Sequence, residues 1–212
     1  TQEAFPVDWA TTQNNLATAY SNRIKGNRAD NFDNAFVGIS AAFSFLSYYS
    51  LHLYCAMTQN NLANSYSERI KGDRAQNIEN AISAYTEALT VYTREALPLE
   101  WAGTQHNMES TYSKRMKGDR AQNIENAIAA YTAALTVYTK ETLPQNYLET
   151  LFGLGIAYQN ANKFNSAYTS FESAIVTIES LREEIVSGDE SKRKQAEHSS
   201  EVYRRMVEVC LE

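Results

Sequence analysis

The sequence predicts an all-α protein, an α-solenoid built from repeated pairs of antiparallel helices. The main evidence is the stretch from Lys71 to Ile82, which recurs letter for letter from Lys117 to Ile128. A looser copy begins at Lys25, and successive copies are 46 residues apart. A fixed period of this size indicates stacked supersecondary units. Composition agrees, since 3 prolines and 8 glycines in 212 residues are few for a β-rich fold with many turns.

Alignment on this period brings similar side chains into shared columns, which is the third observation. In the second unit, the first helix carries Leu62 and, four residues later, Tyr66. The second helix carries two alanines, Ala81 and Ala88, on either side of Tyr85. Small residues at these positions let two helices approach closely, while the large side chains fill the space beside the contact. One pair cannot bury its apolar face alone, so we expect neighbouring pairs to stack.

Each unit is expected to contain a first helix, a glycine turn and a second helix. In the third unit the first helix is expected over about 101–116, and Gly118 can take the left-handed conformation that ends it. Either Asp119 or Asn123 can cap the second helix, and the sequence does not decide between them. Pro144 is expected to stop that second helix, because proline clashes within a helix and removes a donor.

The predicted units span about residues 9–54, 55–100, 101–146 and 147–187. Residues 188–212 are predicted to form a charged helix followed by the first helix of a fifth, truncated repeat. The unfinished helical pattern leads us to expect a fragment of a longer protein.

In the fourth unit, seven residues stand at spacings of 3, 1, 3, 9, 4 and 3: Leu151, Leu154, Gly155, Tyr158, Ala167, Phe171 and Ala174. This pattern resembles the tetratricopeptide repeat, whose helix–turn–helix signature has large, Leu, Gly, Tyr, Ala, Phe and Ala residues at these intervals. The earlier units resemble the same repeat with one added turn between the helices. They depart from it at the family's glycine, where Ala17, Ala63 and Glu109 stand. Glu109 implies a looser local fit or an exposed site.

The resemblance covers about residues 9–180. It implies a right-handed superhelix whose concave face is lined by the first helices, and binding of a protein or peptide rather than catalysis. Arrays of this 46-residue type in bacteria often precede a caspase-like peptidase domain, the CHAT domain, of which no residue is present here.

The family's concave-face positions give the predicted peptide-binding residues: Asn14, Asn60, Asn64, His106, Ser110, Phe152 and Ile156. An asparagine amide offers both a donor and an acceptor, which suits the backbone of an extended peptide. A further column contains Asn15, Asn61 and Asn107. The sequence allows two roles for this column, ligand binding or contacts between units. Lysine is absent from these columns except at Lys114, so no clamp for a C-terminal carboxylate is predicted.

The segment 35–57 departs from the other units, because 17 of its 23 residues are apolar and none is charged. Its possible interface residues are Phe43, Phe45, Tyr48, Tyr49 and Tyr54. One interpretation is a core helix with stray exposed aromatic residues; the other is a surface for self-association or a partner. Because His52 replaces the proline of later units, the helix can also run on through 53–57 and permit domain swapping. A membrane span is disfavoured, since the repeat register is unbroken on both sides.

Charge and reactive residues limit the functional classes. The net charge of -6 argues against nucleic-acid binding, which needs a basic face. Cys55 and Cys210 share no motif spacing, and this fits a reducing, cytoplasmic compartment. The histidines have no ligand partners at metal spacing, and no catalytic grouping can be assembled. We therefore expect no enzyme activity, metal or cofactor.

Two arginine columns recur with the period, one containing Arg69 and Arg115. They can form a basic stripe for acidic peptides, but nearby acids such as Asp33 and Glu79 favour surface ion pairs.

The sequence thus predicts a protein–protein interaction module that binds a peptide or protein segment in its groove. We expect it to serve as a regulatory or scaffolding arm of a larger protein. The alternative is a structural homo-oligomerisation module that associates through the aromatic helix 35–57.

Overall fold

The computed structural model describes residues 6–21, 26–48, 52–184 and 189–211, and every regular element among them is helical. The nine helices in these residues are α1 (Pro6–Ser21), α2 (Arg28–Tyr48), α3 (His52–Glu68), α4 (Arg74–Ala88), α5 (Pro98–Ser113), α6 (Arg120–Ala134), α7 (Pro144–Asn160), α8 (Phe164–Glu184) and α9 (Asp189–Cys210).

The helices belong to two compact units, an N-terminal unit (Thr1–Lys117) and a C-terminal unit (Gly118–Glu212). In the N-terminal unit, consecutive helices from α1 to α5 pack on one another, and α3 also contacts both α1 and α5. In the C-terminal unit, consecutive helices from α6 to α9 pack on one another, and α7 also contacts α9. Adjacent helices therefore form antiparallel pairs in both units, as the helical pattern predicts. The boundary lies inside the predicted third repeat.

The turn between first and second helices has the predicted chemistry. Gly72 and Gly118 have φ values of 85° and 81°, in the left-handed region that favours glycine. Asp119 caps α6, because its side chain accepts a 3.0 Å hydrogen bond from the backbone N–H of Gln122. Asn123, the other candidate cap, is instead 4% exposed one turn later.

The alanine columns lie in the buried core. Ala81, Ala88, Ala127 and Ala134 are all 0% exposed, which confirms that these positions are packed against other helices. In the N-terminal unit, Ala81 shares a cluster with Ala63 and Met108, and this joins α3, α4 and α5.

Two glycines of α7 make room for aromatic rings. A methyl group on Gly155 would lie 2.4 Å from Cε1 of Phe171 on α8, so Gly155 is a packing glycine, as predicted. A methyl group on Gly153 would lie 1.9 Å from the hydroxyl oxygen of Tyr131 on α6. Glu109, at the corresponding glycine column of α5, is 1% exposed and accepts a hydrogen bond from Ser113. Glu109 is therefore buried, and the alternative prediction of an exposed site at this position is wrong.

The prolines have a different role from the predicted one. α4 ends at Ala88 and α6 ends at Ala134, each well before the next proline. Pro98 and Pro144 are the first residues of α5 and α7, where the missing N–H would have no helical partner. Because the helix starts at Pro98, α5 begins and ends three residues earlier than the expected 101–116.

The helix of the aromatic segment does not run on into the next repeat in the described residues. α2 ends at Tyr48 and α3 begins at His52, while residues 49–51 lie outside the described part. α2 packs against α3, and Cys55 packs on the cluster that contains Ala42. In one continuous helix these two residues would be about 20 Å apart, because each residue adds about 1.5 Å.

Candidate functional site

A polar pocket of about 500 Å³ lies in the N-terminal unit, mainly between α3 and α5. We call it the amide pocket. From α3 it is lined by Ser67 and by four residues at positions i, i+3, i+4 and i+7, which share one helix face: Asn61, Asn64, Ser65 and Glu68. From α5 it is lined by His106, Asn107 and Ser110. Asn61 and Asn107 are 46 residues apart, so they take the same repeat position on two neighbouring first helices.

A hydrogen bond from the second helix of the pair holds the side chain of Asn64 in position. Tyr85 of α4 is 1% exposed, and its hydroxyl group donates a 2.6 Å hydrogen bond to Oδ1 of Asn64. Burial raises the pKa of Tyr85 well above its ordinary value, although hydrogen bonds with Thr111 and Ser67 counter part of this effect. The hydroxyl group thus stays protonated, and Asn64 keeps its amide NH₂ group for other partners.

Several amides of the pocket form no side-chain hydrogen bond within the described part of the chain. This holds for both polar atoms of Asn61 and Asn107, and for Nδ2 of Asn64. All three residues are half-buried. The pocket therefore presents hydrogen-bond donors and acceptors that the helices hold in place but that form no hydrogen bond between the helices.

The first predicted column has a different role at two of its positions. Nδ2 of Asn14 donates a 2.8 Å hydrogen bond to Oγ1 of Thr58, which links α1 to α3, and Asn14 is 1% exposed. Oδ1 of Asn60 lies 3.1 Å from Oγ1 of Thr104, which links α3 to α5. These two asparagines join neighbouring first helices and do not line the amide pocket.

The last two predicted site residues lie in the C-terminal unit. Phe152 and Ile156 are half-buried and pack against a core cluster that includes Phe171. The rings of Phe152 and Phe171 have centroids 6.0 Å apart. The structure thus places three predicted residues, Asn64, His106 and Ser110, in one pocket.

Two features of the pocket were not predicted from the sequence. Tyr85 was assigned only a packing role, because nothing in its column shows where the hydroxyl group points. Glu68 was not singled out, although Glu68 and Lys114 occupy the same repeat position with opposite charges. Oε1 of Glu68 lies 2.7 Å from Nζ of Lys114, and Oε2 lies 3.7 Å from Nη2 of Arg28.

The recurring arginines form ion pairs between repeats. Nε of Arg69 lies 3.1 Å from Oδ1 of Asp33, and Arg115 donates two 2.8 Å hydrogen bonds to Glu79. Arg115 lowers the pKa of Glu79, and Lys71 followed by Arg69 lowers the pKa of Asp33. The ion-pair interpretation is therefore confirmed for these two arginines.

The proposed interface residues are only partly described. Phe43 is half-buried beside a cavity of about 240 Å³, which is also lined by His52 and Cys55. Tyr54 is 36% exposed. The side chains of Phe45, Tyr48 and Tyr49 lie outside the described residues. Two other large apolar side chains of the segment 35–57, Val37 and Leu53, are 66% and 51% exposed.

Within the described ranges, no three His, Cys, Asp or Glu side chains are grouped as ligands of a metal ion would be. In the same residues, no helix combines the length and the apolar character that crossing a membrane requires.

Comparison with protein-family models gives no match for this chain, and no curated protein matches it.

Proposed function

We propose that this chain is a tetratricopeptide-like repeat array that binds an extended segment of another protein in the amide pocket. The repeat assignment is supported by the 46-residue period, the antiparallel helix pairs and the fit of Gly155 against Phe171. In such an array the first helices would line the concave face of a right-handed solenoid, and both α3 and α5 are first helices.

The observation that carries the proposal is the set of unused amides in the pocket. An extended peptide presents N–H and C=O groups on alternating sides, and each of them needs a partner when it leaves water. Asn61 and Asn107 each supply both kinds of group, and Nδ2 of Asn64 supplies donors. A volume of about 500 Å³ lies within the range of pockets that bind small ligands, so it fits a few residues of peptide.

Among the described lining residues of the pocket, Tyr85 is the only Phe, Tyr or Trp, and it is 1% exposed, so the half-buried imidazole ring of His106 is the one accessible aromatic ring. The described lining therefore offers no exposed Phe, Tyr or Trp ring on which a sugar or base could stack. Contacts to peptide amides need only the hydrogen-bonding groups that are present.

The test is a selection of random 12-residue peptides, displayed between flanking sequences, on the immobilised chain. We expect the enriched peptides to bind the triple variant Asn61→Ala, Asn64→Ala, Asn107→Ala at least about tenfold more weakly, because each lost hydrogen bond costs about 0.5–1.5 kcal/mol. Asn34→Ala is the matched control, because Asn34 is exposed on α2 outside the pocket. Peptides that bind the triple variant as tightly as the wild type would contradict the proposal.

A second candidate is homo-oligomerisation through the segment 35–57. The exposure of Val37 on α2 and of Leu53 on α3 favours it, because exposed apolar side chains are available to pack against a second copy of the chain. Sedimentation analysis distinguishes the two functions. Self-association that is lost in Val37→Ser, Leu53→Ser but unaffected by the triple asparagine variant would favour the oligomerisation module.

A further inference from the structure

Among the described residues that line the amide pocket, Glu68 alone has a carboxylate, and a cation contacts each of its two oxygen atoms. Nζ of Lys114 lies 2.7 Å from Oε1, and Nη2 of Arg28 lies 3.7 Å from Oε2. Arg28 lines the pocket as well. The side chains of Glu68, Lys114 and Arg28 are 40%, 37% and 73% exposed, so a ligand can reach all three.

In this arrangement Glu68 already pairs with both positively charged side chains, Lys114 and Arg28. A ligand carboxylate that approached Lys114 or Arg28 would have to replace Glu68 or lie next to it, and two carboxylates in one place repel each other. A neutral backbone amide meets no such opposition.

We infer that Glu68 determines the specificity of the amide pocket. It makes the pocket select internal, uncharged segments of a polypeptide and reject segments that end in a free C-terminal carboxylate or carry acidic side chains there. The side chain of Glu68 takes the place that a ligand carboxylate would otherwise occupy between Lys114 and Arg28. This inference rests on the proposed peptide binding and names the kind of peptide.

The position of Lys114 explains why a single residue can have this effect. Glu68 and Lys114 are 46 residues apart, so they take the same place at the ends of two neighbouring first helices, Glu68 as the last residue of α3 and Lys114 directly after α5. A neutral residue at position 68 would remove the carboxylate that now contacts both Arg28, which lines the pocket, and Lys114, which reaches it through Glu68. Such a group of cations and amide donors is suited to bind a carboxylate.

The experiment compares wild type with Glu68→Gln, which keeps the size of the side chain and removes its charge. Each is used to select from two random peptide libraries, one displayed internally and one with a free C-terminus. We expect the wild type to enrich peptides from the internal library only. Glu68→Gln should also enrich peptides with a free carboxylate, and should bind these at least about tenfold more tightly than the wild type does.

Three further measurements identify the cause. Amidation of the C-terminus should remove the gain, and so should the added substitution Lys114→Met in the Glu68→Gln background. The gain should shrink as salt is raised from about 50 to about 500 mM, because exposed charges are screened. Glu87→Gln is the charge-matched control, because Glu87 belongs to the same unit but does not line the amide pocket. Urea unfolding confirms that each variant is folded.

The outcomes separate this inference from the proposed function. Wild-type binding of peptides with free C-termini that is lost on amidation would overturn the inference, and so would a folded Glu68→Gln variant that gains nothing. In both cases the proposed function would still stand if internal peptides bind and their binding depends on Asn64. If the wild type enriches peptides from neither library, both conclusions are wrong.

Discussion

The hydroxyl group of Tyr85 on α4 donates a 2.6 Å hydrogen bond to Oδ1 of Asn64 on α3, so a fully buried side chain of the second helix orients a pocket residue of the first. This bond connects the stability of the helix pair to the shape of the amide pocket.

Replacing Tyr85 by Phe should therefore weaken both folding and binding. We expect the free energy of unfolding to fall by about 1–2 kcal/mol, because the hydrogen bond is lost and Oδ1 of Asn64 loses its buried partner. Urea unfolding measures the first effect, and the affinity of a selected peptide measures the second. Tyr112→Phe is the control, because the Tyr112 hydroxyl group forms no hydrogen bond in the described part of the chain. Equal effects of the two substitutions would contradict the orienting role of Tyr85.

Adding a methyl group at Gly155 should destabilise the C-terminal unit. The new Cβ would lie 2.4 Å from the ring of Phe171, and we expect a loss of about 1–3 kcal/mol because α7 and α8 must move apart. Gly38→Ala is the matched control. Its Cβ would have nothing closer than 3.5 Å, and helix propensity predicts a gain of up to about 1 kcal/mol. Thermal unfolding of both variants checks the opposite signs.

Removing the cap of α6 should lower stability by about 1 kcal/mol. Asp119→Ala leaves the backbone N–H of Gln122 without the side-chain acceptor that now lies 3.0 Å away. Asp119→Asn should retain most of the stability, because an asparagine side chain also accepts this bond. Helix content and urea unfolding report the effect. An Asn variant as unstable as the Ala variant would show that the charge matters more than the cap.

Acid should weaken the contact between α4 and the residues that follow α5. The guanidinium group of Arg115 holds the pKa of Glu79 below its ordinary value of 4.5. A lowered folded pKa means that the stabilisation is fully present above about pH 4.5 and is lost as pH falls through the folded pKa. We expect Glu79→Gln to lower the free energy of unfolding by about 1 kcal/mol at pH 7 and by much less at pH 3.

Urea unfolding of the wild type and Glu79→Gln at the two pH values measures this difference. The control is Glu87→Gln, since Glu87 forms no ion pair within the described residues. A Glu79→Gln effect that is the same at pH 3 and pH 7 would contradict the assignment.

The repeat pattern predicts most of what backbone physics controls. The turn glycines and the alanine columns follow from residue type, since few other residues suit a φ of 81° or a helix contact with no exposed surface. The same pattern predicts the wrong role for Pro144, because proline can either stop one helix or start the next. Only the length of the connecting turn decides between them, and Ala134 ends its helix early.

The pocket is less predictable than the fold. Asn60 and Asn61 are adjacent in sequence, yet Asn60 contacts Thr104 while Asn61 lines the pocket. Each residue turns the helix by about 100°, so this division depends on how α3 is rotated against α5. That rotation is set by packing of the whole unit, which a single sequence pattern does not contain.

The polar contacts between neighbouring repeats also affect how the N-terminal unit would respond to a mechanical load. The contact of Asn60 with Thr104 and the ion pair of Arg115 with Glu79 connect successive repeats separately from the apolar core. Tension that separates two repeats would have to break these polar links together with the apolar cluster that Ala63, Ala81 and Met108 share across α3, α4 and α5.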